Sequence, residues 1–148
     1  MREILFRGKT YDGKWEQGDL RHCGYVHNDS ETYIMRSDYA LHNIPVDPKT
    51  VGQYTGLTDK NGKKIFEGDV VKFTDSPFGY SYIGVVSFHG GSYCILYTAL
   101  WGNEAFHRIG KTEKWQDMGA SGTVTYEYEL IGNIHDNPEL VKDENNEN

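Results

Sequence analysis

With 148 residues and a net charge of −7, the chain has room for one ordinary domain or two very small ones sharing a core. The acidic balance argues against a duplex-DNA binder, which needs a basic face to displace counterions, and two cysteines are too few for a disulfide scaffold. Hydrophobic residues make up only 37%, but aromatics supply 14% and bury much area each, while 17 glycines favour strands and turns over long helices.

Ile4 to Phe6 reads as a short strand ending at Gly8, and Asp12-Gly13 is a hairpin signal. Gly18-Asp19 reads as a corner leading into a strand from Arg21 to Val26. Gly62 to Val70 has a similar Gly-Lys…Gly-Asp pattern, too common in a Gly-rich chain to make a repeat. Thr32 to Met35 is a further strand, and Ser37 to Ile44 has room for one helical turn before Pro45 and Pro48 end regular structure.

The densest signal lies between Val51 and Phe73. Asn61-Gly62 sits between two strand-like runs and predicts a tight turn with positive φ at both central residues. Glu67-Gly68-Asp69 breaks the chain again before the β-branched run Val70-Val71. Lys60, Lys63 and Lys64, the densest basic group, fall on that hairpin and read as a solvated turn. Ser76 to Gly79 is a turn, and Tyr80 to Phe88 pairs with Ser92 to Leu100 through His89-Gly90-Gly91.

Between Trp101 and Met118 the pattern is ambiguous: Glu104, Ala105, Phe106 and Ile109 fit one face of a short helix bounded by Gly102 and Gly110. Gly119 to Gly122 reads as a flexible connection. Val124, Tyr126, Tyr128 and Leu130 then alternate with Thr and Glu, the pattern of a half-buried strand. Asn137-Pro138 predicts a capped short helix, followed by a disordered acidic tail over 143–148. The expected fold is all-β: small, SH3-like or barrel-like twisted antiparallel sheets with at most short helices. The expected organisation is a single β-rich domain over 1–142, with sub-parts 1–50 and 51–142.

Gln53 to Lys72 resembles the signature of the YopX family of phage and prophage proteins. Arg2 to Gly8 and Leu130 to Leu140, with its Ile-Gly-Asn-Ile and Asn-Pro-Glu-Leu segments, are similar to the family's two ends. The resemblance implies a small, mainly β protein of Gram-positive phages, prophages or related mobile elements, and implies no established activity. The stretch from Gly90 to Gly122 lies outside the resemblance, and function is expected to reside there rather than in the signature.

Chemistry-bearing residues are sparse. His22, Cys23 and His27 have no second paired cluster to complete a zinc site, and nothing in the pattern brings His89, Cys94 and His107 together, so no metal or cofactor is expected. Cys94 falls in an apolar strand, where a buried thiol is the usual outcome. Cys23 and His22 point to opposite faces of a strand. Asp19 and Asp69 are explained by turn chemistry, in which Asp bonds its own backbone. An enzyme is therefore not expected.

The aromatic surplus is the remaining functional pointer. Trp101, Phe106 and Trp115 bracket Arg108 and Lys111, rings beside cations that suit a ligand site, with a core or oligomer interface as the competing reading. Tyr80 and Tyr82 are a weaker version of the same case. The expected protein is an accessory factor that binds a host protein and forms a homo-oligomer that covers its strand edges. The alternatives are an oligomeric sponge for a host signalling nucleotide and a nucleic-acid-binding regulator, the latter opposed by the charge. Met1 to Gly8 lacks the apolar region of a signal peptide and no run reaches the ~20 apolar residues of a membrane span, so a cytoplasmic location in the bacterial host cell is expected.

Overall fold

A computed structural model describes residues 1–23, 31–36, 42–99, 102–110, 113–118 and 120–141. The chain is all-β, built from two curled antiparallel sheets, and separates into two compact units, Met1–Gly56 and Leu57–Asn148. The boundary falls near the end of a long strand. Residues 142–148 lie outside the described residues, as do 24–30, which include His27, and 37–41.

The first unit contains β1 (Phe6–Lys9), β2 (Trp15–Cys23), β3 (Glu31–Met35), β4 (Asn43–Pro45) and β5 (Asp47–Thr58), which ends just beyond the boundary. Their order is β4-β3-β2-β1-β5. Ile34 and Val46 are fully buried and Tyr54 nearly so, forming its core. β1 begins at Phe6 rather than Ile4, because Phe6 to Lys9 pair with β2, and Phe6, Arg7 and Lys9 also with β5, while Ile4 stays exposed. Gly18-Asp19 is not a corner: both lie inside β2, and a Cβ at Gly18 would be driven into the carbonyl of Met35 on the facing strand. Here glycine permits a close backbone approach.

Two prolines expected to end regular structure lie in strands instead. Pro45 sits on β4 at the sheet edge, where no ladder donor is lost, and Pro48 sits near the irregular register of β1 against β5. Ile44 likewise belongs to β4 rather than to a helical turn.

The second unit contains β6 (Lys64–Phe66), β7 (Asp69–Ser76), β8 (Ser81–His89), β9 (Ser92–Thr98), β10 (Glu104–Arg108), β11 (Glu113–Asp117), β12 (Ala120–Asn133) and a 3-10 turn, Pro138–Val141. Six of these strands form a sheet in the order β10-β9-β8-β7-β12-β11. The β8–β9 hairpin forms as expected, closed by Gly90 and Gly91, both at positive φ. Glu104 to Arg108 is a strand, not a helix. A segment of this length between Gly102 and Gly110 cannot support a helix nucleus, whereas β9 offers a ready ladder from Cys94 to Thr98. Ala120 to Gly122, expected as a connection, extends β12 and pairs with β11.

The Asn61-Gly62 turn also differs in type. Only Gly62 has positive φ; the Asp59 amide bonds the Lys63 carbonyl and the Gly62 amide bonds the Asp59 carbonyl. This is a three-residue loop closed by a left-handed glycine, and Thr10 to Lys14 has the same pattern around Gly13. The turn at Gly68-Asp69 is confirmed: Gly68 has positive φ and the buried Asp69 accepts from the Phe66 amide at 2.8 Å.

The core of this unit is Ile65, Val71, Phe73, Val86, Ile95 and Ile109, with Tyr82, Tyr93, Tyr97, Tyr126, Tyr128 and Leu130 packed on it. Leu130 and its alternate neighbours thus occupy the inward face that the period-two pattern of β12 predicts.

Candidate functional site

The curl of the second sheet places strands far apart in its order in contact across its interior. His107 of β10 lies 4.1 Å, ring to ring, from Tyr126 of β12, four positions away in the strand order. His107 also stacks on Phe73 at 4.8 Å, and its Nε2 hydrogen-bonds the Tyr128 hydroxyl at 2.8 Å. That hydroxyl accepts from the Gly110 amide at 3.1 Å. The Tyr128 hydroxyl thus bridges the His107 ring and the Gly110 backbone, with the tautomer of His107 setting which of the two is the donor in their bond. The buried histidine is a fixed floor element.

Around this floor the rings open outward. Tyr97 meets Phe73 edge-on at 5.0 Å and lies 5.0 Å from Tyr82, while Tyr82 lies 5.4 Å from Phe73. Tyr82, Tyr97 and Tyr126 are partly exposed, whereas Phe73 and His107 are buried. The result is one mouth of a barrel-like sheet, carpeted by tyrosines.

Two carboxylates border it. Asp75 is opposite Tyr126 in the β7–β12 ladder, and Glu113 is opposite Val124 in the β11–β12 ladder, so both share the inward face. The Tyr80 amide donates to Asp75 Oδ1 at 2.9 Å and orients it. Burial, reinforced by the charge and hydrogen bond of Glu113, pushes the Tyr126 phenol up to about 12. Burial also raises the Tyr97 phenol, with Tyr82 and Glu113 contributing. Burial raises Tyr128 as well, against the opposing effect of the Gly110 amide.

The residues singled out from sequence are distributed differently. Phe106 and Arg108 are exposed on the opposite face of β10 from His107, and Phe106 stacks on His89 at 4.1 Å with nearly parallel rings. Trp101 and Lys111 lie outside the described residues. Trp115 is opposite Gly122 in β11, but its side chain is likewise outside them. Tyr82 is at the mouth, whereas Tyr80 is on the adjoining turn and exposed. Sequence reasoning passed over Tyr97, Tyr126 and Glu113 as site residues. The alternation of β12 marked the face of Tyr126, but only the curl brings that face to His107.

Among the described residues no group of three or more His, Cys, Asp or Glu could hold a metal ion. Cys94 is buried opposite Arg108 on the face away from His107, and His22 hydrogen-bonds Thr32 in the first unit. No helix among the described residues is long and apolar enough to cross a membrane. No curated protein matches the chain. The family model described as YopX protein matches residues 5–142, nearly the full length and including every residue of the mouth, and the chain therefore belongs to the YopX family.

Proposed function

We propose that the protein is a phage or prophage accessory factor that acts by binding rather than catalysis, that its target is a host protein, and that the tyrosine mouth of the second unit is the contact surface. The observation that carries this reading is the set of three partly exposed tyrosines on a buried Phe73–His107 floor. Tyrosine offers wide, rigid, amphipathic contact area with little side-chain entropy to lose, which is why it is favoured at protein interfaces. The polar groups here support and orient the rings: Tyr128 holds His107, and Glu113 bonds Tyr126. The carboxylates weigh against phosphate-bearing ligands, so the nucleotide-sponge and nucleic-acid readings rank behind.

The reading includes a cytoplasmic location in the host cell and a homo-oligomer, for which the edges of β4 and β10 and the exposed Phe106 face offer contact surface. Light scattering of the purified chain tests the assembly. For the binding function, tagged full-length protein is exposed to host lysate beside a Tyr97→Ala/Tyr126→Ala variant whose fold is checked by circular dichroism. A host protein retained by the parent and lost by the variant supports the proposal. Equal retention by both, or none by the parent, overturns it.

A further inference from the structure

Resting on that binding reading, we propose that the tyrosine mouth is a receptor for a basic side chain, an arginine presented by the partner protein. The mouth combines ring faces with carboxylates, and three cations on the described residues of its own strands are turned away from it. Lys72, Arg108 and Lys114 are adjacent in sequence to Phe73, His107 and Glu113, so strand alternation places all three on the other face. The inward face carries Tyr82, Tyr97 and Tyr126 together with Asp75 and Glu113. Aromatic faces attract a cation through their quadrupole, and neighbouring carboxylates add a directed partner for it.

Arginine fits this set better than lysine. Its planar guanidinium stacks on a ring while its N–H fork engages a carboxylate, and it is less strongly hydrated than an ammonium. The receptor is preorganised: Asp75 is held by the Tyr80 amide, Glu113 and Tyr126 hold each other, and the rings rest on a buried floor. Preorganised groups lose little freedom when the ligand arrives.

The test uses amide and aromatic NMR spectra of the full chain, titrated with blocked Ala-Arg-Ala, its lysine analogue and its neutral citrulline isostere at millimolar concentration. The arginine peptide is expected to shift Tyr82, Tyr97 and Tyr126 and to bind more tightly than the lysine peptide, with the citrulline peptide weakest. Glu113→Gln should weaken arginine binding roughly threefold, and the Asp75→Asn/Glu113→Gln pair roughly tenfold. Unchanged signals away from the mouth verify that the variants are folded. Equal binding of citrulline and arginine, or shifts confined to other residues, overturns the proposal. If the arginine peptide fails while a host protein is still captured through Tyr97 and Tyr126, this inference falls and the binding function stands. If the peptide binds and no host protein is captured, the receptor stands and the host-protein reading falls.

Discussion

Replacing Asp59 by Asn should be among the most damaging single-atom changes in the second unit. The carboxylate is 6% exposed and accepts three backbone amides: Asn61 at 2.8 Å and Lys63 at 2.9 Å on Oδ1, and Leu130 at 3.0 Å on Oδ2. It thereby ties the Asn61-Gly62 loop to β12, across 71 positions of sequence. A side-chain amide has one acceptor oxygen and an NH₂ that only donates, so in either rotamer an N–H₂ group faces an N–H. If the acceptor stays with the loop, the Leu130 amide is left unmet, a cost of about 1–3 kcal/mol, and two charge-assisted bonds become neutral. A total of about 3 kcal/mol at neutral pH is expected, read as a lower urea midpoint for the second unit.

The pH dependence supplies a second check. Burial pushes the Asp59 carboxyl up, but the amides of Leu130, Lys63 and Asn61, with the Lys63 charge, outweigh it and hold the group below its ordinary 3.8. A depressed folded value means that the unfolded chain binds the proton first. The stabilisation is therefore present above 3.8 and is lost as pH falls through the folded value. The gap between parent and Asp59→Asn should shrink over that range, because protonated Asp and Asn are alike in offering one acceptor. A variant within about 0.5 kcal/mol of the parent at neutral pH, or a penalty unchanged by acid, would refute this account.

Gly84→Ala should cost about 3 kcal/mol, since its Cβ would be driven into the Leu96 carbonyl and to within 2.5 Å of Ile95 Cγ2; urea unfolding would show it. Tyr128→Phe removes the hydroxyl that joins His107 to Gly110, and a loss of about 1–2 kcal/mol should accompany faster exchange of the Gly110 amide. Tyr126 should ionise late in an absorbance titration, at about 12, and Glu113→Gln should bring it down. Its folded value is raised, so stability is full below 10.0 and declines as pH rises from there toward about 12; equal ionisation of Tyr126 in folded and unfolded chain would contradict the burial of that phenol.

Short-range chemistry was legible in the sequence wherever the chain decides its own geometry. The Asp12-Gly13, Gly68-Asp69 and Gly90-Gly91 turns need only local backbone freedom, and the alternation of Val124 to Leu130 needs only one wet face and one dry one. The family resemblance around Gln53 to Lys72 was likewise a property of the residues themselves. Elements whose state depends on a distant partner were not legible. Glu104 to Arg108 has an ambiguous local preference and becomes a strand because β9 supplies its ladder. Gly18 reads locally as a corner, yet lies inside β2, where its lack of a Cβ lets the backbone pass close to the Met35 carbonyl of the neighbouring strand. The mouth belongs to the same class: Tyr82, Tyr97, His107, Glu113 and Tyr126 come from five strands, and only the curl of the sheet gathers them. Periodicity along a chain records which face is buried; which faces meet is decided by twist and closure, which no local window contains.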